Sequence, residues 1–543
     1  MTGEESSAGP EPPSGTERAG PEPLSGTERA VLTAGREWIR DHEGWLCELL
    51  AELVARPSVT GEEGSHDDPG SVVGALHGSL AGTLTRSTID VQRVAGRSPR
   101  ENCYAVLEGV SDELLLCTSH TDTVAPGDAT EWPGDDPFAL AEGTVRRVAP
   151  RTVELAVDGT RERRTIREAY DRVWDRRTGE SRTALVGRGA YDNKAAVVSL
   201  VGALAAVEAG LAETGTELGG TLVHAHLVGE EVAQSGAKAM VGAGDRRGWL
   251  GRRWPDPDGA VVVVDGAYGY VPAVGHRGLA WITLRAEGES THAATPHLGR
   301  NAVLGAARAL ADADGLRGAI ADPFVDDELL GALTVAAGTT VVGGDVTRDR
   351  DGRIDRTGVN AVPDWCETTI DVRFPRWEGH PDGAAAIREG LETAVEEHAS
   401  ARADGVEFEA TVDPEEYFPP VAIADSRAAA REHPLVARAL AATESTVGYD
   451  PGVVVAPGVT DAAVIAPATR LPTVVEYGAA GAFSHEPLEY VERESVIAGA
   501  EALAELAVRQ LGVVDDGNAG GDADDDGNAG GDADDDGNAA EGR

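Results

Sequence analysis

The sequence predicts an α/β fold, a largely parallel mixed sheet flanked by helices, with a ferredoxin-like α+β domain inserted. Two observations predict the sheet. Short apolar runs recur at 104–107, 114–118, 221–228, 260–264 and 473–477, and helical stretches at 31–55, 193–209, 234–243 and 489–511 alternate with them. Strands apolar on both faces and separated by helices belong in a sheet covered on both sides. The third observation is a change of pattern in the middle of the chain. Residues 279–286 alternate, with Ala280, Ile282, Leu284 and Ala286 on one face. A second alternating strand groups Cys366, Ile370, Val372 and Phe374, and helices near 300–313 and 382–399 and a strand near 405–412 complete the unit. That order fits a small α+β insert. The main domain is therefore read as 31–275 plus 415–513, with 276–414 as a lid and dimerisation domain.

The ends read differently. "GPEPPSGTERA" (9–19) recurs as "GPEPLSGTERA" (20–30), and "DDGNAGGDAD" (515–524) recurs at 525–534. Neither unit has apolar residues to bury, so 1–30 and 514–543 are expected to be disordered. The N-terminus has no basic segment followed by an apolar one, which favours the cytoplasm. No run of eighteen apolar residues stands out, so no membrane span is expected. The cysteines (Cys47, Cys103, Cys117 and Cys366) lack zinc-ribbon spacing and read as reduced thiols.

Net charge is −46, with only two lysines, Lys194 and Lys238. Such a surface repels nucleic acid and leaves no basic footprint to explain. It also suits high salt, where self-repulsion is screened.

Candidate chemistry gathers where the strands end, which is where open α/β sheets bind ligands. After 114–118 come His120 and Asp122, and after 221–228 come Gly229, Glu230 and Glu231. Asp265 follows "VVVV", and His485 lies in "FSHEPLEYV" beyond "TVVEYG". Asp192, in "GRGAYDNKAAVVSL", stands just ahead of an apolar helix, where an N-cap carboxylate is kept ionised. Taken singly, these are a cap, a turn residue, a loop histidine and a solvated pair. Taken together, two imidazoles and several carboxylates at one sheet edge point to a metal pair. Two divalent cations would balance Asp192, Glu231, Asp265 and a hydroxide, and would lower the pKa of a shared water. Imidazole and carboxylate without thiolate suit Zn²⁺, with Co²⁺ or Mn²⁺ open. Asp122 is placed to accept from the second ring nitrogen of His120 and fix its tautomer. His224 and His226 have the spacing of a barrel-type metal motif, but lie mid-strand among apolar neighbours and are read as core histidines or as partners of ligands.

These residues resemble the dinuclear zinc amidohydrolase family of acetylornithine deacetylase, succinyl-diaminopimelate desuccinylase, aminoacylase, carboxypeptidase G and several dipeptidases. The resemblance runs over most of 31–513, through "LLAELVARPSVTGEE", "SHTDTV", "GRGAYDNK", "GEE", "GHRG", "THAATPHLGRNAV", "VNAVPDWCETTIDVRFP", "PGVTDAAV" and "SHEPLEYV". It implies that Asp192 bridges two metals, one also held by His120 and Asp265, the other by Glu231 and His485. It implies Glu230 as general base, His292 as an oxyanion partner often supplied by a second subunit, Arg373 as the grip on a substrate carboxylate, and Asn360 and Thr460 as further polar contacts. It also implies a cis peptide after Asp192. The expected substrate is an N-acyl amino acid or short peptide with a free carboxylate; a dipeptidase or aminopeptidase is the alternative. Three departures stand out. Gly229 replaces the family's usual Asp. Phe138–Gly187 is long enough to hold an added hairpin. Asp265 stands where deacylases more typically carry Glu and dipeptidases and aminoacylases carry Asp.

Overall fold

The computed structural model describes residues 22–515, apart from 150, 167–179, 244–245, 267–268, 322–323, 325–326, 345–346, 349–353, 356, 378–382 and 404. Most of both terminal repeats therefore lies outside the described residues. The second N-terminal repeat ends in ordered structure, however: helix Gly26–Val54 starts inside it. The Ser25 hydroxyl accepts from the Glu28 N–H, and the Glu28 carboxylate accepts from the Ser25 N–H. This capping box corrects the expectation of disorder up to residue 30, because "SGTE" is itself a helix-start signal.

The main sheet has six strands in the order Thr88–Arg93, Glu101–Leu107, Thr221–Leu227, Glu113–His120, Asp258–Val263 and Thr473–Val474. The first two junctions are antiparallel and the other three parallel. Helix Ala195–Thr214 packs on this layer between Gly26–Val54 and Arg493–Leu511. With the turn before it, it forms a stretch, Ala190–Thr214, long and apolar enough to cross a membrane, at mean hydropathy 2.0. Yet 89% of its most apolar window is buried inside the protein, so its apolarity is spent on the core.

A second six-stranded sheet runs in the order Gly481–Ala482, Tyr490–Glu492, Ser181–Val186, Ala141–Ala149, Thr152–Val157 and Thr160–Thr165. The expected added hairpin is thus part of a larger sheet that continues to the strands on either side of His485.

The four-stranded sheet of the lid, Thr334–Gly343, Trp365–Phe374, Gly278–Glu287 and Glu407–Phe418, is wholly antiparallel. Helix Gly383–Ser400 closes its core through Ile387, Leu391 and Val395 against Ile282, Leu284, Ile370 and Phe374. The helix expected at 300–313 is two helices, Ala302–Ala311 and Ala313–Ala321, meeting at Asp312. Cys366 packs not with Ile370 but in a small separate cluster with Ala286, Ala302 and Ala306. The four thiols are unpaired, and three of them are buried.

Candidate metal centre

His120 is the last residue of its strand, Asp265 follows Val263 by two residues, and Glu230 and Glu231 follow Leu227 by three and four. Because these three strands run parallel, their carboxyl ends open at one edge and bring the side chains together. Gly229 makes the turn into the two glutamates at φ +70, and a Cβ there would sit 2.2 Å from the Ser235 hydroxyl. Glycine suits this turn: a side chain there would be strained at that angle and crowded by Ser235.

Asp192 lies in the wide turn Ala190–Lys194, ahead of helix Ala195–Thr214. It is not the N-cap; that position is Lys194, without a side-chain cap. The turn inserts two residues between carboxylate and helix and aims Asp192 at the two histidines instead. The Asp192–Asn193 peptide is cis, as the resemblance implies.

The five heads form two groups that share Asp192. His120 Nε2 lies 3.1 Å from Asp192 Oδ1 and 3.6 Å from Asp265 Oδ1. His485 Nε2 lies 2.9 Å from Glu231 Oε2 and 3.4 Å from Asp192 Oδ2. Within each group the donor atoms fall inside 4.8 Å of one another, close enough for one cation. The donor chemistry fits divalent ions, and Glu231 Oε1 is buried with no hydrogen-bond partner. Burial, with Asp192 alongside, pushes Glu231 up to about 7. Hydrogen bonds to Asp192 and Glu231 raise His485 to about 10. Burial opposes protonation of His120, but Asp265, Asp122 and Asp192 outweigh it and raise its pKa. The cluster thus crowds negative charge that only protons or cations can relieve.

Asp122 has more partners than the sequence predicts. The Nδ1 of His120 meets the backbone carbonyl of Asp122 at 3.0 Å, and the Asp122 carboxylate is farther, at 3.5 Å. That carboxylate also accepts from the N–H groups of Glu230 (3.0 Å) and Glu231 (3.2 Å) and from the Thr60 hydroxyl (2.8 Å). It holds the two-glutamate turn in place. Glu230 stands 4.0 Å from His120 Nε2 with 10% of its side chain exposed, and burial pushes its pKa well up.

The centre floors a cavity of about 460 Å³, walled on the far side by Leu279, Trp281, Arg373 and Phe418 of the lid. Thr460 also lines it; its hydroxyl donates to the Val475 carbonyl. Arg373 reaches the cavity while paired through two nitrogens with Asp371, at 2.7 and 2.9 Å. His292 and Asn360 are exposed on the lid, where the Asn360 carbonyl accepts from Ala293, and neither lines the cavity. His224 and His226 are buried in their strand, away from the centre's donor sets.

Three acidic residues escaped the sequence reading. Glu489 is fully buried and gathers the loop before Asp192: its Oε1 accepts from the N–H groups of Tyr191 and Asp192, its Oε2 from that of Gly189 and from Arg188. Glu476 lines the cavity with Oε2 buried and unpartnered, and Asp461, beside Thr460, is buried and raised to about 7 by burial. A carboxylate inside the apolar run "TVVEYG" was the one available signal for Glu476.

A sequence profile described as peptidase family M20/M25/M40 matches residues 170–509. The chain belongs to this family. As a member of peptidase family M20/M25/M40 it is a metal-dependent hydrolase of amide bonds. It is 30% identical to a succinyl-diaminopimelate desuccinylase of Methylobacterium sp. (strain 4-46) over 268 residues, 48% of this chain and 53% of that one. It is 24% identical to the succinyl-diaminopimelate desuccinylase of Methylobacterium nodulans over 483 residues, 87% of this chain and 96% of that one. A tripeptidase from Staphylococcus aureus shares the fold at TM-score 0.56 and 18% identity, over 86% of this chain and 98% of that one.

Proposed function

We propose that this M20 peptidase cleaves the amide bond of an N-acyl amino acid or short peptide that carries a free carboxylate. The observation that supports it is the shared Asp192: two donor groups, His120/Asp192/Asp265 and Asp192/Glu231/His485, meet on one carboxylate beneath a cavity that also holds Glu230 and Arg373. These five residues hold two divalent cations, Zn²⁺ first, with Co²⁺ and Mn²⁺ as alternatives. Bound there, the cations supply Lewis acidity and make water a better nucleophile at neutral pH. Glu230 takes the proton of the attacking water and returns it to the leaving nitrogen. Asp122 keeps Glu230 and Glu231 on their turn through the backbone. Arg373 receives the substrate carboxylate with the donors that Asp371 leaves free, and Thr460 shapes the cavity wall.

The test is metal analysis of the purified protein together with a screen of N-acyl amino acids and dipeptides. Turnover that survives both chelation and Glu230→Gln sinks the mechanism.

A second reading, a dipeptidase or aminopeptidase, is favoured by the acidity of the cavity. Asp413, Glu415, Glu416 and Glu476 line it in addition to the metal-binding set, against Arg373. That wall suits a free amine. Comparing Gly-X dipeptides with N-acetyl-X separates the two readings.

The lid is the proposed dimer surface. Leu298, Leu304, Val341, Val342 and Val359 are large apolar side chains exposed on it, and Thr334–Gly343 is an edge strand of its sheet. His292 and Asn360 lie on the same domain, where a second copy brings them to the partner's cavity. Sedimentation analysis checks this, and a monomer with full activity rejects it. The charge of −46 supports a salt-rich cytoplasm as the working environment.

A further inference from the structure

Among the described residues of the segment between Phe138 and Gly187, Arg164 reaches the loop that carries His485. Strand Thr160–Thr165 is the outer strand of the second sheet. Alternation along it sends Arg161 and Arg163 to Glu154 and turns Arg164 to the opposite face. There the Arg164 guanidinium donates to the Pro487 carbonyl and to the Glu486 carboxylate, and its centre stands 4.0 Å over the Phe483 ring. All three partners lie within two residues of His485.

The loop they belong to needs such support. Phe483, His485 and Leu488 have φ of 68, 64 and 63, in the left-handed region that side chains other than glycine rarely occupy. His485 is also the most exposed of the five proposed ligands, with 52% of its side chain accessible; His120, Asp192, Glu231 and Asp265 show 17% or less. Packing fixes the other four. His485 depends on its loop.

We propose that Arg164 is a positioning residue for His485. The added sheet segment acts as a brace that holds residues 483–488 in the shape that completes the Asp192/Glu231/His485 group for a divalent cation. This rests on the reading of His485 as a ligand. The brace belongs to the segment that the sequence reads as longer than the family's usual, so the proposal ties that segment to the centre's affinity for metal.

The test is Co²⁺ and Zn²⁺ titration of the chelator-stripped full chain against a competing chelator, for wild type, Arg164→Ala, Arg164→Lys, Arg161→Ala and His485→Ala. Arg164→Ala is expected to weaken one of the two cation sites by about 10–100-fold, the range for losing a partner that orients a ligand, and to leave the other unchanged. Its kcat falls with little change in KM. Arg164→Lys, which keeps the charge but not the fork, recovers part of the loss, and Arg161→Ala behaves as wild type. Two wild-type sites in Arg164→Ala overturn the brace. Two wild-type sites in His485→Ala as well overturn the ligand reading beneath it, whereas loss in His485→Ala alone condemns only the brace. If Arg164→Ala does not fold, as read by circular dichroism, Glu486→Ala combined with Phe483→Leu removes two of its three contacts from the other side. The same one-site loss then supports the brace, and unchanged titration rejects it.

Discussion

Replacing Glu489 with glutamine keeps the shape of the side chain and removes what it does. Glu489 is 0% exposed and its partner Arg188 is 2% exposed. In the native protein one oxygen takes the N–H groups of Tyr191 and Asp192, both at 2.9 Å, and the other takes that of Gly189 at 3.2 Å and the guanidinium. The amide turns one of those acceptors into a donor. Whichever way it flips, at least one buried N–H loses its partner, and the Arg188 charge stays buried with no counter-ion. Breaking one half of a buried pair costs about 3–5 kcal/mol, so we expect Glu489→Gln to lose at least ~3 kcal/mol. Arg188→Met on top of it removes the stranded charge, and the double variant regains about 1–3 kcal/mol of the loss, the size of coupling seen for residues in contact. Urea denaturation at fixed salt and metal concentration measures both. Because the same N–H groups set the path of the chain into Asp192, metal titration must weaken together with stability. A Glu489→Gln protein within about 1 kcal/mol of wild type, with unchanged metal binding, refutes the idea that this carboxylate organises the loop.

Other expectations follow from the same geometry. Glu230→Gln lowers kcat by about 10²–10⁴-fold, the usual worth of a general base, while metal content stays at wild-type level; a fall in metal content instead assigns Glu230 to binding. Burial lowers the pKa of His224 and His226 to about 3 and that of His276 to about 4. The folded protein keeps these rings neutral while the unfolded chain takes up protons below its ordinary histidine value. Their effect is nil above pH 6.5, and stability is lost as pH falls toward 4, by roughly 1.4 kcal/mol per pH unit for each ring. Urea midpoints at pH 7.5, 6.5, 5.5 and 4.5 read this, and His224→Leu makes the slope shallower; a flat profile from 7 to 5 contradicts it. Glu476→Gln raises KM for Gly-X dipeptides about tenfold relative to N-acetyl-X if its carboxylate receives an amine, the scale of one charge-assisted hydrogen bond. Equal changes for both substrates count against the second reading.

The five converging side chains were legible because four of them sit at the ends of short apolar strands or just ahead of an apolar helix, and parallel strands carry local signals to a common edge. What the sequence hid was orientation across long separations. The Asp122 carboxylate receives the N–H groups of Glu230 and Glu231, more than a hundred residues away, as well as facing the neighbouring imidazole. Glu489 looks like an ordinary polar residue four places after His485, and only the fold shows three N–H groups pointing at it. The lid strand Thr334–Gly343 is not predicted because its apolar residues do not alternate: Val335 and Ala337 pack on the core, whereas Val341 and Val342 stand exposed. Helix Gly26–Val54 starts earlier than the apolar periodicity predicts because its Ser25 cap lies inside the polar repeat. His292 and Asn360 carry family motifs, yet within one chain they stand on the lid surface, and the motif alone does not say in whose cavity a residue acts.

The order of the donor side chains along the polypeptide has a consequence for its biosynthesis. Four of the five are in place by Asp265, and His485 emerges 220 residues later, after the whole sheet of the lid. At about 5–20 residues per second, a ribosome needs on the order of ten to forty seconds to travel that distance. For that interval the nascent chain carries one of the two candidate donor groups, and a message cut short between residues 265 and 485 yields a product without the second proposed histidine ligand.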